Sequence, residues 1–162
     1  MENKLHSQFE DCLKDANNEE QKALSLLLEG FLNKKRQKNV TYIGGLLQMN
    51  ASLDETSCEV SIPITALTHN SLGIVHGGIT ATLVDSAMGT LANQFLPKDY
   101  GAVTSSLQIH YLSPGKYGSL RAKAHVIHQG KNTMMVEGKV LNDEDKVIAH
   151  STASFFILKK RK

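Results

Sequence analysis

Cysteine is scarce in this chain of 162 residues. Cys12 and Cys58 are far apart and form no C-x-x-C pair, which excludes a disulfide framework and offers no zinc-site spacing. A reducing compartment, the cytoplasm, is the expectation. Tryptophan is absent and aromatic residues make up 6%, too few for a surface that stacks nucleic-acid bases or sugar rings. Neither sign of charge dominates. The net charge is +2, the charged fraction is 21% and no long basic stripe occurs, so nucleic acid is not an expected partner. No apolar run approaches membrane-spanning length, and the opening MENKLHSQFEDCLKD lacks the apolar core of a signal peptide. No membrane partner is therefore expected, and the length fits one ordinary domain with a short appendage.

What is present falls into two periodicities. From about Glu2 to Asn39 the chain is rich in Glu, Lys, Gln, Leu and Asn, and Leu24, Leu27, Leu28, Phe31 and Leu32 recur at helical spacing, which predicts one or two amphipathic helices. Lys34, Lys35 and Arg36 then suit the negative end of a helix dipole. The period next changes to two. Cys58, Val60, Ile62 and Ile64 alternate with polar residues and Pro63, as in a half-buried strand. Four further alternating segments begin near Val103, Leu120, Met134 and Val147, with Val103, Ser105, Leu107, Ile109 and Tyr111 on one face of the first. Turn chemistry at Ser113-Pro114-Gly115, Gln129-Gly130-Lys131 and Asn142 to Asp145 separates them and predicts successive antiparallel strands in a meander.

Between the two strand regions lies the run His69 to Gly89, HNSLGIVHGGITATLVDSAMG, which sets Gly77 and Gly78 about two helical turns ahead of a lone carboxylate, Asp85. Ile79, Ala81, Leu83, Val84, Ala87, Met88, Leu91 and Ala92 are apolar on every side, predicting a helix buried all round. The first turn of such a helix carries unpaired N–H groups and partial positive charge, so it suits the oxygen of a polarised carbonyl. Glycine there lets a substrate approach closely. Nothing basic lies within a helical turn of Asp85, which leaves no ion-pair explanation for it on its own helix. A carboxylate base plus main-chain donors points to acyl transfer without a metal. His76 reads as a residue that orients the loop or moves a proton, and Asn70 as a turn former or a polar group beside the substrate. His110, His125, His128 and His150 fall on predicted strands without ligand spacing.

The segment H-N-x-x-G-x-x-H-G-G followed by L-x-D, here His69, Asn70, Gly73, His76, Gly77, Gly78, Leu83 and Asp85, closely resembles the phenylacetate-pathway-type (PaaI-like) branch of the hot-dog-fold acyl-CoA thioesterases. The strand V-T-S-S-L-Q-I-H-Y-L-S-P and the turn H-Q-G-K-N resemble that family too, and the likeness runs from about Tyr42 to Leu158. It implies an α+β hot-dog fold, a curved antiparallel sheet wrapped around a central helix. The expected organisation is a helical extension at 1–41, a thioesterase domain at 42–158 and a basic tail at 159–162. The implied reaction is hydrolysis of an acyl-CoA to free acid and CoA, with no cofactor because coenzyme A is part of the substrate. By the same resemblance Asp85 is the general base or nucleophile, the Gly77 N–H binds the thioester oxygen, Asn70 lies beside the reacting group and His76 orients the loop. Thr104 falls near the attacking water, with Ser105 next to it and Gly78 beside the substrate. The resemblance also implies a homo-oligomer, a dimer or a dimer of dimers, in which the aspartate and the glycine facing one substrate come from different subunits. The three phosphate groups of coenzyme A call for Lys or Arg near the pocket mouth. Lys131, Arg121 and Lys123 are the leading candidates, with Lys116 and the tail Lys159, Lys160, Arg161 and Lys162 behind them.

The competing expectation keeps the fold and drops the catalysis: an acyl-CoA-sensing regulator whose N-terminal helices bind DNA. The acids Glu2, Glu10, Asp11, Asp15, Glu19 and Glu20 in that segment argue against it. An acyl-thioester dehydratase would pair histidine with a carboxylate in a different motif, and the residue five beyond Asp85 is Thr90.

Overall fold

A computed structural model describes residues 1–36 and 41–160, in two compact units. One comprises Met1–Gln48 with Thr65–Leu67, the other Met49–Ile64 with Thr68 onward. Arg161 and Lys162 of the expected tail, and 37–40 of the expected extension, lie outside the described residues.

The helical unit holds α1 (Glu2–Leu13), α2 (Asn18–Arg36) and α3 (Tyr42–Leu46). Asn17 starts α2 with a reciprocal cap: its Oδ1 accepts from the N–H groups of Glu19 and Glu20 at 2.9 and 3.0 Å, and Glu20 Oε2 accepts from the Asn17 N–H at 2.8 Å. Lys34, Lys35 and Arg36 occupy the last turn, as the dipole argument expects. Two glycines let α2 and α3 touch through their backbones, since a Cβ on Gly30 would stand 2.6 Å from the Gly45 carbonyl oxygen.

The second unit is a six-stranded antiparallel sheet around one long helix. Its elements are β1 (Asn50–Leu53), β2 (Ser57–Pro63), α4 (Gly77–Gln94), β3 (Tyr100–Tyr111), β4 (Ser119–Gln129), β5 (Thr133–Leu141) and β6 (Val147–Lys159). Alternation buries Cys58, Val60 and Ile62 of β2, Leu120, Ala122 and Ala124 of β4, Met134, Val136 and Val140 of β5, and Ala149, Ser151, Ala153 and Phe155 of β6. These side chains meet Leu83, Val84, Ala87, Met88, Leu91 and Ala92 of α4, which contacts every strand from β2 to β6. Gly138 allows the helix in: a Cβ there would lie 2.5 Å from Val84 Cγ2. Cys58 is sealed in this core, and burial pushes its thiol up to about 11. Among the described residues no helix is long and apolar enough to cross a membrane.

Two features differ from the expectation drawn from periodicity. The strand order is β1-β2-β4-β5-β6-β3, so only β4, β5 and β6 form a meander, while β3 pairs with β6 at the far edge. The segment 112–118, with its Ser113-Pro114-Gly115, is a crossing connection and not a tight hairpin. In addition, α4 is not buried all round. Gly78, Thr82, Asp85, Ser86 and Gly89 form a partly exposed stripe of small and polar residues, because one sheet covers only one side of the helix. The free edge strand β3 leaves Val103 and Tyr111 48% and 55% exposed.

Candidate active site

The loop before α4 is closed by Asn70. Its Oδ1 accepts from the N–H of Leu72 at 2.9 Å and of Ile74 at 3.4 Å, its backbone carbonyl accepts from Gly73 N, and Gly73 takes the left-handed conformation that this turn requires. The side-chain oxygen of Asn70 thus serves the turn, and Asn70 lines the adjoining cavity.

His76 is the N-cap of α4. Its Nδ1 accepts from the Gly78 N–H at 2.9 Å, which requires a ring with its hydrogen on Nε2. The His76 carbonyl accepts from Ile79 N and Thr80 N. Gly78 therefore has no amide to offer a ligand. The Gly77 N–H has no acceptor among the described residues, and Gly77 lines a cavity of about 370 Å³ together with Asn70, Val75, Tyr111, Pro114 and Ile148. An unpartnered N–H at a helix start, beside a cavity, is the donor that a carbonyl oxygen needs.

Asp85 lies two turns further along, half-buried on the stripe left open by the sheet. The Thr104 hydroxyl donates to its Oδ1 at 2.9 Å. How Thr104 reaches it differs from simple alternation. A β-bulge between Thr104 and Ser106 changes the phase of β3, so Thr104 pairs with the core residue Phe155 and shares its side, and Val103 turns outward. Ser105 is the extra residue, and its hydroxyl donates to the Ser154 carbonyl at 2.9 Å. Ser105 is thereby occupied by the sheet. Beyond the bulge Leu107, Ile109 and Tyr111 face α4, as the alternation predicts.

Arg121 and Lys123 do not join this group. They alternate on β4 with the buried Leu120, Ala122 and Ala124, so they point away from α4. Arg121 pairs with Asp145 at 2.7 Å and Glu59 at 3.6 Å, and Lys123 with Glu59 at 3.3 Å. The Asp145 hydrogen bond raises the guanidinium further above its ordinary range. On the same outer face Glu137 sits between His125, at 2.8 Å, and His150, whose hydrogen bond holds the carboxyl below its usual value. Lys131 is exposed at the tip of the β4–β5 turn, toward the end of the sheet where Thr133 and Val103 both pair with Phe156. Lys116 and Lys159 are exposed, and Lys160 donates to the Lys98 carbonyl.

Tyr111 is the site residue that sequence reasoning missed. Its hydroxyl donates to the Gly77 carbonyl at 2.9 Å, and its ring lies 3.4 Å from where a Gly77 Cβ would be. The available signal was its place on the α4-facing side of β3.

Residues 72–149 match the thioesterase superfamily. The chain is 34% identical over 99 residues to the acyl-coenzyme A thioesterase PaaI of Escherichia coli, covering 60% of this chain and 69% of that protein. It is 26% identical over 111 residues to the 1,4-dihydroxy-2-naphthoyl-CoA hydrolase of Listeria monocytogenes, covering 68% and 90%. Among solved structures the BH2602 protein of Bacillus halodurans, crystallised with CoA, superposes with a TM-score of 0.87 at 46% identity, covering 92% of this chain and 99% of that one. Helix, sheet, motif and these likenesses agree: the chain belongs to the thioesterase superfamily, in its PaaI-like hot-dog branch, and is a thioester hydrolase.

Proposed function

We propose that the chain hydrolyses an acyl-CoA to the free acid and CoA, with the Gly77 N–H as oxyanion donor and Asp85 as general base or nucleophile. The observation that carries this reading is the pairing of an unpartnered amide, at Gly77, with a carboxylate of which one oxygen is held by Thr104. The acyl-CoA class is supported by the PaaI and naphthoyl-CoA relatives and by CoA in the Bacillus halodurans structure.

The two groups sit eight residues apart on one helix, roughly 12 Å along its axis at 1.5 Å per residue, too far to act on one carbonyl. A homodimer resolves this. A second copy laid against the open stripe of α4 and the free edge of β3 brings the Asp85 of one protomer to the Gly77 of the other, and covers an edge that otherwise invites uncontrolled pairing. The assembly is a dimer or a dimer of such dimers.

In the base route Asp85 takes a proton from a water, and the resulting hydroxide adds to the thioester carbonyl as its oxygen accepts from Gly77. The C–S bond then breaks, and the proton passes to the departing thiolate. In the nucleophile route an Asp85 oxygen adds to the carbonyl, the C–S bond breaks to give CoA thiolate and a mixed anhydride, and water then hydrolyses the anhydride to the free acid and the Asp85 carboxylate, its spare proton passing to the thiolate. Thr104 fixes Oδ1 and leaves Oδ2, unpartnered among the described residues, for either role. Asn70 contributes its amide end beside the carbonyl, and Lys131, exposed at the β4–β5 turn, is the cation we assign to CoA phosphate. Arg121 and Lys123 are committed to acids. The reaction belongs to the cytoplasm, in keeping with two free thiols.

Thiol release measured across a panel of aromatic, medium-chain and long-chain acyl-CoA esters, with Asp85→Ala as control, tests the reading. Turnover of at least one ester that falls by about 10² to 10⁴ in the variant is the expected result. Equal rates in both proteins overturn the assignment of Asp85. Label found in Asp85 after a single turnover in ¹⁸O water establishes the anhydride route, because in the base route the label goes only to the product acid.

A further inference from the structure

Gly77 stands between two peptide planes, and both are held. The plane that carries its N–H is fixed through the His76 carbonyl, which accepts from Ile79 N at 2.9 Å and Thr80 N at 3.2 Å. The following plane is gripped at both ends: its N–H, that of Gly78, donates to His76 Nδ1 at 2.9 Å, and its carbonyl, that of Gly77, accepts from the Tyr111 hydroxyl at 2.9 Å. Glycine imposes little steric preference on the rotation between the planes, so the direction of the free N–H depends on these holds. His76 and the helix are local. Tyr111 is 34 residues away, at the far end of β3, and is the one hold among the described residues that ties Gly77 to the sheet.

The Tyr111 ring lies against Gly77 and lines the same cavity.

We infer that Tyr111 is a positioning residue that aims the Gly77 N–H at the thioester oxygen. The inference rests on the reading of Gly77 as the oxyanion donor. It acts through geometry: a donor turned away from the developing oxyanion loses transition-state stabilisation while ground-state binding is retained.

The test is Tyr111→Phe, which keeps the ring contact and removes the hydroxyl. The expected result is a fall in kcat of about tenfold, less than the loss of a whole oxyanion donor. KM stays within about twofold and the thermal midpoint is unchanged, since only the transition state uses the aim of the donor. The same fall is expected in a Thr104→Val background, which acts on the other half of the site. In a Gly77→Pro background no further loss is expected, because the N–H is already gone. In ¹⁵N-labelled protein the Gly77 amide resonance shifts in Tyr111→Phe. An unchanged kcat, a rise in KM alone, or a full tenfold loss persisting in Gly77→Pro overturns the inference. If Asp85→Ala hydrolyses as well as wild type but the Gly77 resonance still moves in Tyr111→Phe, the hold on Gly77 stands and the catalytic reading of Asp85 falls. If Asp85→Ala is dead while Tyr111→Phe alters neither rate nor resonance, the inference alone fails.

Discussion

The start of α4 and its middle offer opposite kinds of chemical group, held in opposite ways. At the start the working group is a backbone amide, and hydrogen bonds from Ile79, Thr80, Gly78 and Tyr111 restrain the peptides around it. In the middle it is a side chain, Asp85, with one hydrogen bond from Thr104. A main-chain donor is as rigid as the bonds that hold its peptide and cannot be exchanged for another residue type without changing the backbone. A carboxylate is replaceable at will but carries the charge on which the chemistry turns. The first half of the site should therefore fail through geometry and the second through chemistry.

The sharpest test of that contrast removes each group in turn. Asp85→Ala is expected to lower kcat by about 10² to 10⁴ while circular dichroism and thermal midpoint stay near wild type, the range for losing a positioned base. Gly77→Pro, which deletes the N–H, should lower it by about 10² to 10³. Gly77→Ala should cost far less, because the added Cβ meets the Tyr111 ring at 3.4 Å, an ordinary contact. Mixing the two dead proteins breaks or saves the cross-subunit arrangement. If donor and carboxylate come from different protomers, each mixed dimer regains one intact site, and refolding equal amounts together should restore about a quarter of wild-type activity by random pairing. A site built within one protomer restores nothing.

The same contrast marks what the residues disclosed in advance. Alternation located β2, β4, β5 and β6, because each strand buries one face against α4 and the pattern is written locally in residues such as Cys58, Val60 and Ile62 or Leu120, Ala122 and Ala124. The glycine pair at a helix start and the carboxylate two turns on were equally legible, since both lie on one continuous segment. What stayed hidden depends on partners distant in sequence. The placement of β3 beside β6 is decided by the sheet as a whole. The ion pairs that occupy Arg121 and Lys123 follow from strand register with Glu59 and from the turn that carries Asp145. The open stripe on α4 was mistaken for buried surface because apolar content alone does not say which side a sheet covers. The bulge at Ser105 has no sequence signature, and Thr104 was reached by resemblance while alternation favoured its neighbours.

Those neighbours supply the finest test of the carboxylate half. Thr104 and Ser105 are adjacent hydroxyl residues on one strand, and the bulge sends them to different tasks: one to Asp85, the other to the Ser154 carbonyl. Thr104→Val keeps the shape and removes the donor to a charged acceptor, so kcat should fall by roughly threefold to tenfold, in line with a charge-assisted hydrogen bond of which water replaces a part. Ser105→Ala removes a hydroxyl that serves only the backbone of β6, and both kcat and KM should stay within about twofold, with stability lowered by about 1 kcal/mol. Steady-state kinetics and thermal melts on the two variants read the difference. Should Ser105→Ala impair turnover more than Thr104→Val, the phase of β3 at the bulge is the reverse of the one described, and the hydroxyl that serves Asp85 is the other one.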